Sequence, residues 1–111
     1  MYYVSSYQLK DKMAVKYQEW LLSDEAKGLF ADVQKETGWR YIDTFWVIMG
    51  FGEYACEDWW EVPDWTSFEK LRTAESMERL ITRSTELDFT DNARPSSTRM
   101  LRTTRDVKIW E

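Results

Sequence analysis

The amino-acid sequence predicts an α+β fold built around a four-stranded antiparallel sheet. Three observations support this prediction. Aromatic and β-branched residues concentrate in four short stretches, which is typical of strands. Two intervening regions repeat apolar residues at helical spacing. The chain has only four glycines and two prolines, and most of them fall between these stretches, where they mark element boundaries.

The first half of the chain is predicted to form a strand, a helical region and a second strand. Residues 2–9 alternate and are rich in tyrosine, so they predict a strand. The helical region that follows has a candidate N-cap at Ser23 and a candidate left-handed C-terminal residue at Gly38. It is either one long helix with a break or two short helices in series. Residues 39–49, WRYIDTFWVIM, predict the second strand.

The second strand is predicted to continue into a hairpin. Residues 50–52, Gly-Phe-Gly, have turn chemistry. Residues 54–62, YACEDWWEV, then form the returning strand. Pro63 lacks a backbone N–H and ends that strand.

The last part of the chain predicts a helix, a loop and a fourth strand. Thr66 followed by Glu69 is a capping box, and it precedes an apolar stripe that runs from Phe68 to Ile81. Residues 88–98 have the composition of a loop. Residues 99–110 alternate and predict a strand.

The element order is therefore β-α-β-β-α-β, within a single domain of residues 1–111. Two βαβ-like units of this length give the ferredoxin-like arrangement, with both helices on one face of the sheet. Large apolar side chains occur at both odd and even positions of the strands, as in Phe45-Trp46 and Trp59-Trp60. A sheet that is apolar on both faces must be covered on both. We therefore expect a second copy of the chain on the other face, and thus a homodimer.

Charge and hydropathy exclude several classes of function. The net charge of −5 gives no long-range attraction for nucleic acid or anionic lipid. No run of residues approaches the length of a membrane span. The first residues, MYYVSSYQLKDK, lack the features of a signal peptide. These observations predict a cytoplasmic protein that binds neither nucleic acid nor membranes.

The chain contains no histidine and one cysteine, Cys56. The absence of histidine excludes Ser-His-Asp and Cys-His catalysis and removes the commonest metal ligand. A lone cysteine without a histidine to activate it is most often a small buried hydrophobic residue. We therefore expect no metal, no cofactor and no thiol chemistry.

Three stretches carry a resemblance to a known superfamily. They are YQL at 7–9, GWRYIDTFWVIMG at 38–50 and WEVPDWTSFEKL at 60–71. Together with the element order, they resemble the dimeric α+β barrel superfamily, particularly its NIPSNAP-like, EthD-like and antibiotic-biosynthesis-monooxygenase-like groups. The resemblance implies a homodimer whose two sheets pack into a barrel, with a cavity inside the barrel or between each sheet and its helices.

The resemblance does not supply a catalytic set. Haem-dependent members of the superfamily need a histidine, which is absent here. The cofactor-free monooxygenases resemble one another through an asparagine and tryptophans that line the pocket, whereas the only asparagine here, Asn92, falls in the predicted loop. Such folds host several functions, so the fold by itself does not select one.

Three acids are the candidate catalytic residues, namely Asp43, Glu57 and Asp58. Because Glu57 and Asp58 are neighbours on a strand, their side chains point to opposite faces and cannot act as a pair. The more apolar parity, which includes Cys56 and Trp60, is expected to face the helices and to carry Asp58 with it. An acid left unpaired in a cavity would indicate chemistry. An acid paired with an arginine would indicate a structural role.

These observations lead to one main hypothesis and two alternatives. The main hypothesis is a homodimer that binds a small apolar or aromatic molecule. Its expected lining comprises Tyr41, Asp43, Trp46, Glu57, Trp59 and Arg105. One alternative is a cofactor-independent oxygenase or isomerase with a desolvated acid as base. The other is an interaction module whose tryptophans only fill the core and the dimer interface.

Overall fold

A computed structural model describes residues 1–50 and 54–105 of the chain. Both predicted helical regions divide into two helices, so the described residues form four strands and four helices. The elements are β1 (Tyr2–Tyr7), α1 (Ala14–Leu21), α2 (Asp24–Thr37), β2 (Arg40–Trp46), β3 (Cys56–Glu61), α3 (Trp65–Thr73), α4 (Glu75–Leu87) and β4 (Ser97–Leu101).

The sheet is antiparallel, with the strand order β2-β3-β1-β4. This order confirms the predicted ferredoxin-like arrangement. β3 and β1 are the central strands. Asp58 lies in the middle of β3, paired with Ser5 of β1 on one side and with Thr44 of β2 on the other. The acid is therefore at the centre of the sheet.

The helices pack on one face of the sheet. The ring of Tyr17 in α1 lies 6.1 Å from that of Tyr7 in β1. The ring of Phe30 in α2 lies 5.6 Å from that of Trp60 in β3, and Leu80 of α4 belongs to the same buried cluster. Burial of these aromatic rings is the main stabilising contribution to this face.

The alternation of β3 follows the predicted parity. Cys56 and Trp60 are buried on the helix-covered face, which confirms the prediction for that set. Glu57 and Trp59 point to the opposite face, which we call the open face.

A register shift in β2 changes which of its residues share a face. Tyr41 pairs with Trp60, whereas Asp43 pairs with Trp59, with the shift between them at Ile42. One extra residue in a strand moves the following side chains to the other face. Asp43 therefore lies on the opposite face of the sheet from Tyr41 and on the same face as Phe45.

Several predicted strands are longer than the strands observed. β1 ends at Tyr7, and Leu9 forms only an isolated bridge with Thr90. β2 covers 40–46 of the predicted 39–49. Residues 51 and 52 of the predicted turn lie outside the described residues.

The last strand also differs from its prediction. β4 begins at Ser97, inside the predicted loop, and ends at Leu101. Residues 102–105 do not continue the strand. Residues 106–110 of the predicted strand lie outside the described residues.

The helix ends agree with the caps predicted from the sequence, with one exception. Ser23 caps α2 by accepting from the backbone N–H of Ala26, and Gly38 ends α2 with a φ of +75°. Both predictions are confirmed. The predicted capping box at Thr66 is wrong, because Asp64 is the N-cap of α3 and accepts from the backbone N–H of Ser67 at 2.8 Å. Aspartate is a stronger N-cap than threonine, which explains the earlier start.

Candidate functional site

The carboxyl group of Asp58 accepts two hydrogen bonds on a single oxygen. The Tyr7 hydroxyl donates to Oδ1 at 2.7 Å, and the Thr44 hydroxyl donates to the same atom at 2.8 Å. Among the described residues, no group donates to Oδ2. Asp58 therefore has one oxygen held by the protein and a second oxygen with free lone pairs.

Two further tyrosines extend this network. The hydroxyls of Tyr7 and Tyr17 are 2.6 Å apart, and Tyr41 is hydrogen-bonded to Thr44. All these partners are neutral hydroxyl groups. In residues 1–50 and 54–105, no lysine or arginine forms an ion pair with Asp58. The charge of an ionised Asp58 is thus not compensated by a cation.

This environment changes the acidity of Asp58 and of its tyrosine partners. Burial raises the pKa of Asp58 to about 6, and the hydrogen bonds from Tyr7 and Thr44 offset only part of that effect. Burial, together with the negative charge of Asp58, also raises the pKa values of Tyr7 and Tyr17. The tyrosines therefore stay protonated as donors, while Asp58 titrates close to neutral pH, as a general acid or base must.

Two adjacent cavities between the sheet and the helices meet at Asp58. The first has a volume of about 220 Å³, and its walls are mainly apolar. The second has a volume of about 270 Å³, and its walls are mainly polar. Four residues border both cavities, namely Ser5, Tyr17, Asp58 and Ser84. A carboxyl group with a free oxygen thus lies where the two cavities join.

Glu57 and Asp43 occupy the open face instead. Glu57 accepts from Arg99 at 3.1 Å and from the Ser6 hydroxyl at 2.9 Å. Because Glu57 forms an ion pair with Arg99, we assign it a structural role. The exposed Asp43 accepts from the backbone N–H of Thr44 at 2.7 Å. The two acids share a face with each other but not with Asp58.

The predicted lining residues are not brought into one site. On the helix-covered face, Tyr41 stacks on Phe30 and Trp46 packs against Tyr17. On the open face lie Asp43, Glu57 and Trp59. Arg105 is exposed beyond the end of β4. None of these six borders the two cavities at Asp58.

Sequence reasoning missed most of the residues that surround Asp58. The missed groups are Tyr7, Tyr17, Trp20, Phe30, Trp60 and Ser84. The parity of β1 places Tyr7 on the same face as Ser5. That signal connects Tyr7 to Asp58 only once the register between β1 and β3 is known. Predicting that Ser84 contributes to the site would also require knowing where α4 packs on the sheet.

The remaining reactive groups near the cavities support no metal or thiol chemistry. Burial and the neighbouring Asp58 raise the pKa of the Cys56 thiol to about 12, so the nucleophilic thiolate does not form near neutral pH. Within the described residues, no cluster of histidine, cysteine or acidic side chains could hold a metal ion. The same residues include no helix long and apolar enough to cross a membrane.

Comparisons with solved structures define the class of fold. A NIPSNAP domain protein from Burkholderia xenovorans is 12% identical, with a TM-score of 0.60 over 93% of this chain and 95% of the other. A DABB family protein from Mesorhizobium loti, with a ferredoxin-like fold, is 12% identical, with a TM-score of 0.54 over 92% and 96%. A dimeric ferredoxin-like protein of unknown function from Bacteroides fragilis is 10% identical, with a TM-score of 0.58 over 90% and 94%.

No family model matches the chain, and no curated protein matches it. The class is therefore defined by fold: this is a ferredoxin-like α+β protein with the architecture of NIPSNAP and DABB proteins. The resemblance inferred from the sequence is confirmed at that level. At these low sequence identities, the structural similarity does not indicate an activity or a ligand for this protein.

Proposed function

We propose that this protein binds a small apolar or aromatic molecule in the cavity between the sheet and the helices, with Asp58 as its polar anchor. One observation carries the proposal. Asp58 borders the cavity, it has no cationic partner among the described residues, and its Oδ2 accepts no hydrogen bond there. Asp58 is only partly buried, and no buried side-chain oxygen of the described residues lacks a partner, so Oδ2 is open to the cavity. A ligand that donates a hydrogen bond to this oxygen gains a charge-assisted contact there.

The size and walls of the cavity limit the ligand. The rings of Trp20, Phe30 and Trp60 and the side chains of Leu71 and Leu80 form much of the apolar surface. Apolar cavities of about 150 Å³ accommodate benzene. The volume of about 220 Å³ therefore suits a molecule with one or two fused rings.

Binding of indole tests this proposal. Titration calorimetry should show a saturable one-site isotherm, because the ring fits the apolar cavity and its N–H can donate to Oδ2. Ile81 borders the cavity and is 57% exposed. Replacing it with Trp should block the entrance and weaken binding by about tenfold or more, which is about 1.4 kcal/mol.

The matched control is Leu22→Trp, which adds the same ring at a residue that is 65% exposed and borders neither cavity. Equal loss of binding in both variants would contradict the assignment of the cavity. Absence of heat with indole and with a panel of other one- and two-ring compounds would favour an interaction module that uses its aromatic residues only for packing.

We also propose that the protein is a homodimer that buries the open face of the sheet. Trp59 lies at the centre of this face, with its ring 5.9 Å from Tyr2 and 5.8 Å from Phe45. Phe45 is 49% exposed. The apolar stripe formed by Tyr2, Phe45 and Trp59 is typical of a protein interface. The Bacteroides fragilis neighbour is described as dimeric, which supports this proposal.

The variant Phe45→Glu tests the dimer. Sedimentation velocity should give a dimer for the parent protein and a monomer for the variant, because the new carboxylate would be buried in an apolar interface opposite Glu57. Val15→Glu is the control, since Val15 is 65% exposed on α1, away from the open face. A monomeric parent protein would refute the proposal.

A second candidate function is proton transfer without a cofactor, as in an isomerase or an oxygenase. The position of Asp58 favours it, since an acid with a pKa of about 6 is suited to take a proton from a bound molecule near neutral pH. The probe is 2-tetralone, a two-ring ketone, whose α-hydrogens should exchange with D₂O faster in the presence of the protein. Asp58→Asn should remove the acceleration. An unchanged exchange rate in that variant would exclude Asp58 as the base.

A further inference from the structure

The two cavities at Asp58 differ in chemistry but share a wall. The apolar chamber, of about 220 Å³, lies between the sheet and all four helices. The polar chamber, of about 270 Å³, lies beside residues 90–96, between helices α1 and α4 and strands β1 and β3. Asp58 and Ser84 border both chambers. A molecule in the apolar chamber therefore has its next available space on the polar side of Asp58.

The polar chamber offers several hydrogen-bonding groups. They belong to Tyr7, Ser84, Thr90, Asn92, Arg94 and Ser96. Arg94 and Asp91 compensate each other, because Arg94 Nε lies 3.1 Å from Asp91 Oδ2, whereas Asp58 has no cationic partner among the described residues. An anionic end group would lose hydration there without gaining a free cation, whereas a hydroxyl or amide can be satisfied by these side chains.

We propose that the two chambers form one site for an amphiphilic molecule: an apolar body of one or two rings in the apolar chamber, joined to a hydrogen-bonding end group without negative charge in the polar chamber. This inference rests on the proposed binding function and specifies the class of its ligand. The atoms that join the two parts lie beside Asp58 Oδ2.

A set of indole derivatives with one ring system and different end groups tests the inference. The probes are indole, indole-3-ethanol, indole-3-acetate and tryptamine, each titrated calorimetrically at pH 7. Indole-3-ethanol should bind about tenfold more tightly than indole, which is the gain expected from one good hydrogen bond. The carboxylate should gain less than the alcohol, because Arg94 is already paired with Asp91. The amine should gain at least as much as the alcohol, because its ammonium group can pair with Asp58.

Variants assign that gain to the polar chamber. Asn92→Ala and Ser84→Ala should each reduce the affinity ratio of indole-3-ethanol to indole. Thr85→Ala should leave the ratio unchanged, because Thr85 is an exposed neighbour on the same helix and borders neither chamber.

The outcomes separate this inference from the function on which it rests. If indole binds and indole-3-ethanol binds no more tightly, the two-chamber site is refuted and the apolar cavity stands. If the carboxylate binds most tightly, or the amine binds more weakly than indole, the proposed end-group preference is refuted. If none of the four probes binds, the proposed function and the inference both fail.

Discussion

Replacing Asp58 with Asn is expected to stabilise the protein increasingly as the pH rises, by about 2.5 kcal/mol more at pH 8 than at pH 4. The fold holds the pKa of Asp58 at about 6, above its ordinary value of 3.8. Between these two values, the folded state binds more protons than the unfolded state. The free energy of unfolding of the parent protein therefore falls as the pH rises through this window, and the loss is complete above the folded pKa. The amide side chain of the Asp58→Asn variant carries no charge, so the variant would escape this loss.

The local geometry makes asparagine a conservative replacement. Because Tyr7 and Thr44 both donate to Oδ1, a carbonyl oxygen can accept both bonds while the amide group occupies the position of Oδ2. Urea unfolding from pH 4 to pH 8 provides the measurement, and no histidine titrates in that window. The control is Asp43→Asn, which removes a carboxylate that borders neither cavity. If the stability difference between Asp58→Asn and the parent protein does not depend on pH, folding does not raise the pKa of Asp58.

Replacing Trp39 with Ala is expected to lower the free energy of unfolding by about 3 to 5 kcal/mol, the range for deletion of a large buried aromatic side chain. Trp39 is 1% exposed, and its ring lies 5.4 Å from Tyr3 and 5.9 Å from Phe68. Its Nε1 donates to the Ser67 carbonyl oxygen at 3.2 Å. The substitution would therefore leave a cavity where β1, β2 and α3 meet.

Two further variants separate packing from hydrogen bonding at this position. Trp39→Phe keeps most of the buried ring but removes the indole donor to the Ser67 carbonyl oxygen, and it should cost about 1 to 3 kcal/mol. Trp65→Ala should cost about 1 kcal/mol or less, because Trp65 is 57% exposed and the Arg102 guanidinium lies over its ring at 5.7 Å from the centroid. A small effect of Trp39→Ala in equilibrium unfolding would contradict the central role of this residue.

Local patterns were sufficient for most of the fold. Strand alternation, helical spacing and the signals at Ser23 and Gly38 each report on chemistry within a few residues, and the structure confirms them. The boundary errors have a common cause. Residues such as Ile48 have strand propensity, but β2 ends at Trp46. Val47 still donates to the carbonyl oxygen of Ala55 at 2.9 Å, and residues 48–50 do not continue the strand, since a strand continues only where a neighbouring segment pairs with it.

The candidate site was only partly predictable. Alternation along CEDWWEV placed Asp58 towards the helices and Glu57 away from them, and the structure agrees. Apart from Arg105, the predicted lining was drawn from residues close to the candidate acids in sequence. Most of the actual walls of the cavities come from β1, α1, α2, α4 and residues 90–96, which are distant in sequence from β3.

The sequence by itself determined the element order, the fold class, the absence of histidine chemistry and the opposite orientations of Glu57 and Asp58. These features depend on residue types and on a period of two along a strand. Only the tertiary structure decided that Arg99 pairs with Glu57 while tyrosine and threonine hydroxyls surround Asp58. The physical reason is that strand register and helix position set the partners of a buried carboxyl group, and those partners set its pKa and its role.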